Sequence, residues 1–183
     1  MRKPEWSLKQ QLFMVFLVFF VVGIVVVNVT ATEMIQNQNA LFQYFLKQFQ
    51  YAKVDAYDLL WCVTWQRVQI LCLLLLFGMC VFYKWFYGLF VAWSGFAWGY
   101  FCVLALGCFG AKGFLLCIVA LFPQYLFYVP TFLLLVEIYM HRGMYKGKKR
   151  IGMYAVIFSS LLIGILLEAY VNPVFLQKIL KIF

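Results

Sequence analysis

Hydrophobic residues are gathered into five long runs, and the charged residues lie almost entirely in the gaps between the runs. Uncharged stretches of 23, 16, 27, 24 and 17 residues separate Lys9 from Glu33, Arg67 from Lys84, Lys84 from Lys112, Lys112 from Glu137 and Arg150 from Glu168. A helix that crosses roughly 30 Å of hydrocarbon needs about 20 apolar residues. The pattern therefore predicts an all-α membrane protein, a bundle of five transmembrane helices within a single integral membrane domain, 1–183.

The predicted spans cover about 12–29, 59–83, 85–106, 113–140 and 151–171. The second uncharged stretch, 16 residues long, rises only about 24 Å as a helix. We therefore expect span 2 to begin near Leu59, with the long side chain of Arg67 reaching the lipid headgroups. Trp61 and Trp65 supply aromatic side chains of the kind that favour a membrane interface.

Two further segments have the pattern of interfacial helices. In 36–58, Leu41, Phe45 and Phe49 recur at four-residue spacing, which predicts an outer amphipathic helix. Its apolar face could rest on lipid or on the spans of this same chain. The motif Asn172-Pro173 is expected to end span 5, because the residue before a proline disfavours helical geometry. The tail 174–183 then forms a short interfacial helix.

Small residues mark one face of span 3. They are spaced four, three and four residues apart, and they are Gly88, Ala92, Gly95 and Gly99. Small residues let helix backbones approach closely, which matters because lipid provides no hydrophobic drive for helices to associate. We interpret this face as a site of helix packing, either with another span of this chain or with a second protein.

Span 4 contains two prolines seven residues apart, Pro123 and Pro130. Each removes a backbone donor and crowds the carbonyl four residues earlier. The span should therefore be bent or broken near the middle of the membrane, with Gln124 bonding to the freed groups. Non-helical backbone at that depth must be covered by protein or by a wet cavity, so span 4 is expected at the centre of the bundle.

Composition supports a membrane setting and argues against nucleic-acid binding. The chain is 67% hydrophobic and 11% charged, with a net charge of +9, and basic residues next to spans orient a membrane protein. With the N-terminus in the cytoplasm, nine basic residues lie inside, including the cluster 142–150, and six lie outside. Residues 1–31 have features of a secretion signal, but the long apolar run favours an uncleaved first helix. Five spans after a cytoplasmic N-terminus place the C-terminus outside the cytoplasm.

The sequence offers little catalytic chemistry, so the chain is predicted not to be an enzyme and to hold no cofactor or metal. The six cysteines form no CxxC pair, and His141 stands alone in the basic loop. No motif of a metalloprotease, serine hydrolase, phosphate-binding loop or dinucleotide site occurs. Asp55 and Asp58 are interpreted as a helix N-terminal signal rather than as a catalytic pair.

Two acids approach lipid depth: Glu137 near the inner end of span 4 and Glu168 near the outer end of span 5. Ionisable residues inside a span are functional candidates. The structural alternative is that each carboxylate is bonded to a neighbouring helix or cation, and Lys112 is the expected partner of Glu168. The choice between these roles stays open at this point.

Two C-terminal motifs resemble the stage II sporulation protein M family. The first comprises Lys112-Gly113-Phe114, then Leu121-Phe122-Pro123-Gln124, then Val129-Pro130. The second is Leu167-Glu168-Ala169-Tyr170-Val171-Asn172-Pro173. Weaker similarity extends over most of the chain in order and spacing. One departure is Tyr125, where the family pattern has asparagine after the Pro-Gln pair.

The resemblance implies a multi-pass protein of the sporulation septum. Its role would be a scaffold that localises peptidoglycan hydrolases during forespore engulfment without catalysing the reaction. The implied partners are stage II sporulation proteins D and P, in addition to membrane lipid, and a second copy of the chain is a further candidate. The alternative is a small transporter or lipid-handling protein that uses the broken span 4 with Glu137 or Glu168.

Overall fold

A computed structural model describes residues 8–29, 32–51, 55–140 and 147–181, and nearly all of them are helical. In chain order the helices are α1 (Leu8–Val29), α2 (Thr32–Tyr51), α3 (Ala56–Met79), α4 (Tyr83–Phe109), α5 (Ala111–Leu121), α6 (Tyr125–Met140), α7 (Lys148–Leu166) and α8 (Asn172–Leu180). A π-helical turn, Leu167–Val171, joins α7 to α8. The prediction of an all-α fold is confirmed.

Among the described residues, four helical segments are long and apolar enough to cross a membrane. They are Lys9–Val29, Ala56–Met79, Tyr83–Gly107 and Lys148–Leu180, and the bent pair α5–α6 is a fifth if it counts as one span. Many large apolar side chains on these segments are exposed, among them Phe13, Trp61 and Trp93. An apolar exterior of this extent is consistent with a protein that lies in lipid.

The boundary between the amphipathic segment and the second apolar run differs from the prediction. The amphipathic helix α2 ends at Tyr51 and α3 begins at Ala56, so 56–58 belong to α3. Asp55 is the N-cap of α3, and its carboxylate accepts a hydrogen bond of 2.9 Å from the Tyr57 N–H. Aspartate is favoured at this position because the first N–H groups of a helix lack backbone partners.

Several residues used in the sequence analysis lie outside the described part of the chain. They are the ends 1–7 and 182–183, the segments 30–31 and 52–54, and the part 141–146 of the basic loop, which includes His141.

The described residues fall into two compact units. The first unit joins the segment up to Leu46 to Lys84–Cys117. In it α1 and α4 touch backbone to backbone, since a Cβ added at Gly95 would lie 2.5 Å from the Phe16 carbonyl oxygen. Phe42 of α2 packs edge-on against Phe101 of α4, with 5.8 Å between ring centroids.

A tight turn links α4 to α5 within the first unit. Gly110 has a φ of +57°, a left-handed conformation that glycine adopts without steric cost. The turn brings α5 back onto the end of α4 so closely that a Cβ on Gly113 would collide with the Ala105 carbonyl group. The glycine of the Lys112-Gly113 motif is thus required by this close approach.

The second unit comprises Lys47–Tyr83 and Ile118–Phe183, of which the structure describes all but 52–54, 141–146 and 182–183. Its helices α6 and α7 pack along each other, and α3 packs against both. Val63, Leu161 and Ile165 form a buried apolar core between α3 and α7. At the far end of α8, the Gln177 amide donates a 3.2 Å hydrogen bond to the Phe49 carbonyl, which ties the tail to the end of α2.

The motif Asn172-Pro173 does not end the last apolar helix, which corrects the prediction. Asn172 has helical dihedrals, φ −61° and ψ −44°, and its N–H bonds to the Leu167 carbonyl five residues earlier. An α-helix would crowd the proline ring against the carbonyl of the fourth preceding residue. The wider π-helical turn, Leu167–Val171, precedes the proline, and the chain continues helically into α8.

Candidate functional site

Three polar side chains from three different helical segments meet in the second unit. Arg67 of α3 donates from Nε to Glu168 Oε2 at 2.8 Å and from Nη2 to Glu168 Oε1. The Tyr128 hydroxyl of α6 donates to Glu168 Oε2 at 2.6 Å. We refer to Arg67, Tyr128 and Glu168 as the polar cluster.

The geometry of the polar cluster is that of a partly buried, well-satisfied ion pair. The Arg67 and Glu168 side chains are 23% and 15% exposed, and a bidentate arginine–carboxylate pair is among the stronger hydrogen-bonding arrangements in proteins. The guanidinium carbon also lies 4.8 Å from the centroid of the Tyr128 ring, within the range of a cation–π interaction. Each carboxylate oxygen therefore has at least one donor, and the two opposite charges offset each other.

Gly164 of α7 makes room for this arrangement. A Cβ at position 164 would lie 2.5 Å from Tyr128 Cε1, so a larger residue there would push the tyrosine ring away from α7. The Tyr128 ring also makes an edge-to-face contact with the Tyr125 ring, with 6.1 Å between the ring centroids. The backbone of α7 therefore sets the position of the hydroxyl that bonds Glu168.

A second group of polar contacts surrounds the gap between α5 and α6. These helices are bent by 55° at a break, and Pro123 lies between Leu121 and Tyr125, where they end and begin. Gln124 Nε2 donates to the Ala120 carbonyl at 2.8 Å, and Asn172 Nδ2 donates to the same carbonyl at 3.4 Å. The sequence predicts that Gln124 bonds to groups freed at the proline, and here its acceptor is the Ala120 carbonyl; the bond of Asn172 was not anticipated. We refer to Gln124 and Asn172 as the amide pair.

The amide pair is buried and incompletely bonded. Gln124 is 4% and Asn172 is 9% exposed. Within the described part of the chain, neither Gln124 Oε1 nor Asn172 Oδ1 has a hydrogen-bond partner. Burying a polar oxygen without a partner costs about 1–3 kcal/mol, so these two atoms require an explanation.

Pro130 lies inside α6 and does not interrupt it. Two hydroxyls donate to the Phe127 carbonyl, three residues before this proline: Thr131 Oγ1 at 2.8 Å and Ser160 Oγ of α7 at 3.0 Å. Hydroxyl side chains commonly bond the carbonyls that a proline disturbs in an apolar helix. The Ser160 bond also joins α6 to α7.

The predicted small-residue face of α4 is used unevenly. Gly95 and Gly99 abut the backbone of α1, where an added Cβ on Gly99 would collide with the Phe20 carbonyl. Ala92 is 5% exposed. Gly88 has open space around the position of a Cβ. On α1, Gly23 is a matching contact point against the Phe96 carbonyl, and as an isolated glycine it has no spacing pattern that would have indicated this role.

The remaining predicted site residues differ in how exposed they are. Lys112 is exposed on α5, and Pro123 is half-buried in the break. In the second motif Ala169 is 2% exposed and Tyr170 is 47% exposed. Pro173 is half-buried at the start of α8. Glu137 is half-buried in α6.

The cation bonded to Glu168 is Arg67, where the sequence analysis expected Lys112. Arg67 does not extend alone toward a headgroup region but is held by a carboxylate 101 positions away along the chain. Two opposite charges at the ends of separate apolar runs were a usable signal, because charges near lipid usually pair. The tyrosine hydroxyl had no such signal, since Tyr128 stands in an otherwise apolar sequence.

The described residues contain no group of three or more His, Cys, Asp and Glu side chains that could hold a metal ion. Five cysteines, 62, 72, 80, 102 and 117, are free. The described residues offer groups for ligand recognition. These are the mutually neutralised pair of Arg67 and Glu168 and the two side-chain oxygens of the amide pair that lack a hydrogen-bond partner.

Comparison of the chain with family models, with curated proteins and with solved structures gives no match.

Proposed function

We propose that the chain is an integral membrane scaffold of septal peptidoglycan remodelling during forespore engulfment, with five spans of which the bent pair α5–α6 is the fourth. It would localise wall hydrolases of the kind represented by stage II sporulation proteins D and P, without cleaving wall glycan itself. The N-terminus would lie in the cytoplasm and the C-terminus outside, as the basic cluster 142–150 indicates.

The observation that supports this proposal is the meeting of the two motifs on which the family resemblance rests. Gln124 of the first motif and Asn172 of the second donate to one carbonyl, that of Ala120. Glu168 of the second motif accepts from Tyr128, which lies between the Pro-Gln pair and Pro130. Residues far apart in sequence that share one site in space favour a common role for the two motifs.

The ion pair of Arg67 and Glu168 supports the proposed topology. Arg67 and Glu168 were assigned independently to the outer ends of spans 2 and 5, and they bond each other. A pair at one membrane face fits an even number of crossings between the two positions.

The decisive experiment is disruption of the gene in a spore-forming host, followed by microscopy of developing cells. We expect a block at a persistent flat septum and loss of septal localisation of the two hydrolases, both restored by the wild-type chain. Engulfment that proceeds normally in the disrupted strain would exclude the proposal.

Topology is tested separately, in a chain freed of its six cysteines. A single cysteine placed at position 148 should resist a membrane-impermeant maleimide in intact cells, while one at position 57 should react. The opposite labelling pattern would invert the proposed orientation.

A second candidate, a small transporter, is favoured by the broken helix with its buried carbonyl oxygens, because transporters bind substrates and ions at discontinuous helices. Flux in proteoliposomes that is abolished by Glu168→Gln would support this candidate. An unchanged flux in that variant, or no flux with the wild-type chain, would remove it.

A further inference from the structure

The break between α5 and α6 leaves an imbalance between hydrogen-bond donors and acceptors. Three N–H groups near the start of α6 are bonded locally: Leu126 N donates to Pro123 O at 3.2 Å, and the N–H groups of Phe127 and Tyr128 donate to Gln124 O at 3.0 and 3.1 Å. The side-chain atoms left over, Gln124 Oε1 and Asn172 Oδ1, are both acceptors. A ligand of this site must therefore donate hydrogen bonds or be positively charged.

The two amides that carry the free oxygens meet at one backbone carbonyl. Because both amide nitrogens donate to the Ala120 oxygen, the amide pair flanks one end of α5. That end is the negative pole of an 11-residue helix, which favours a cation. Unwound or terminal carbonyl groups of discontinuous membrane helices coordinate alkali-metal ions in the same manner.

The charge and the ligand type narrow the choice of cation. The ligands are neutral amide and backbone oxygens, whereas Ca²⁺ sites usually include carboxylates and Mg²⁺ retains several waters. Glu168, four positions before Asn172 in the sequence, is already bonded by Arg67 and Tyr128, and the charges of Arg67 and Glu168 offset each other. Neutral oxygens in a buried position suit a monovalent ion best.

We propose that the amide pair, together with the carbonyl end of α5, binds one dehydrated alkali-metal cation, Na⁺ or K⁺. The ion lies between the broken helix and the start of α8, and it holds Gln124 of one motif against Asn172 of the other. This site does not depend on the scaffold function, because cation binding and hydrolase localisation are measured by separate experiments.

The experiment measures thermal unfolding of the full chain in detergent micelles, in NaCl, KCl or N-methylglucamine chloride at equal ionic strength. A ligand that binds only the folded state raises the unfolding midpoint. We expect a rise of about 5 °C with one or both alkali-metal salts over the organic cation. Comparison of the two salts identifies the ion, and binding of ²²Na⁺ or ⁸⁶Rb⁺ should saturate at about one ion per chain.

Variants locate the site. Gln124→Leu and Asn172→Leu should each remove the cation-dependent rise. Gln177→Leu is the matched control, because it also deletes one amide bonded to a backbone carbonyl but removes neither free oxygen, so the rise should persist. If Asn172→Leu does not fold, Asn172→Asp keeps the side-chain size, gives up the 3.4 Å bond to the Ala120 carbonyl and adds a charge. It should give half of the full rise at a roughly tenfold lower salt concentration.

Three results would overturn the proposal. The first is a wild-type midpoint equal in all three salts, which is the behaviour of a site filled by a resident water. The second is a cation response that survives both leucine substitutions. The third is an unchanged salt dependence in Asn172→Asp. Sporulation phenotypes do not enter this test, so its failure leaves the scaffold proposal untouched.

Discussion

The two units join their helices in different ways. In the first unit the backbone of α4 at Gly95 and Gly99 lies against the backbone of α1, with no room for a methyl group. In the second unit α3, α6 and the π-helical turn are joined through the side chains of the polar cluster. Lipid surrounds apolar side chains as favourably as protein does, so helices associate through close packing or through polar contacts. This chain uses both, in separate regions.

The difference teaches where each unit is vulnerable. Contacts between backbones are damaged by adding atoms, because the helices must separate along their length. Contacts between polar side chains are damaged by removing atoms, because the partner is left buried and unpaired. Substitutions that enlarge a side chain should therefore lower the stability of the first unit most, and substitutions that truncate one should lower the stability of the second unit most.

The largest effect is expected from breaking the polar cluster. Arg67→Met leaves the Glu168 carboxylate without its cation, and loss of one partner of a buried pair costs about 3 kcal/mol or more. Equilibrium unfolding in mixed micelles measures this cost. The combined variant Arg67→Met with Glu168→Met should be considerably more stable than the sum of the two single effects predicts. Additive effects would show that the two side chains are not coupled.

A smaller effect is expected from adding a methyl group to the first unit. Gly99→Ala drives a Cβ into the Phe20 carbonyl and should lower the free energy of unfolding by about 2 kcal/mol. Gly88→Ala on the same helix is the control, since its Cβ meets open space, and it should change stability by less than about 0.5 kcal/mol. Equal effects of the two substitutions would contradict the close approach of α1 and α4.

The smallest effect is expected at the single hydroxyl that joins α7 to α6. Ser160→Ala removes its bond to the Phe127 carbonyl and should cost about 0.6 kcal/mol, the average for such bonds between membrane helices. The neighbouring Ser159 bonds only within its own helix, to Val156. Ser159→Ala should therefore be close to neutral in the same unfolding measurement, and a larger loss there than at position 160 would reverse the assignment.

The sequence was most informative where a single helix suffices to explain a residue. Apolar run length predicted the helices, and small-residue spacing predicted the packing positions Gly95 and Gly99. A proline followed by glutamine predicted the bond from Gln124 to a freed carbonyl, because acceptor and donor lie only four residues apart. Each of these inferences depends on local geometry.

The sequence was least informative where two distant segments share one contact. Arg67 was assigned to the headgroups because nothing local marks Glu168, 101 residues later, as its partner. The role of Asn172 was missed for the same reason, since its acceptor Ala120 lies 52 residues earlier. The π-helical turn was also missed, because the rule that a proline ends a helix holds for α geometry and a wider turn escapes it.

That wider turn also fixes the phase of everything after it. A π-helical turn holds one residue more than the α-helical turn it replaces, and each residue of an α-helix advances the chain by about 100°. Deleting one residue between 167 and 171 should therefore restore α geometry and leave α8 facing nearly the same way. A deletion in α7 that keeps the π-helical turn would instead rotate α8 by about 100° and move the amides of Asn172 and Gln177 away from the carbonyls that they now reach.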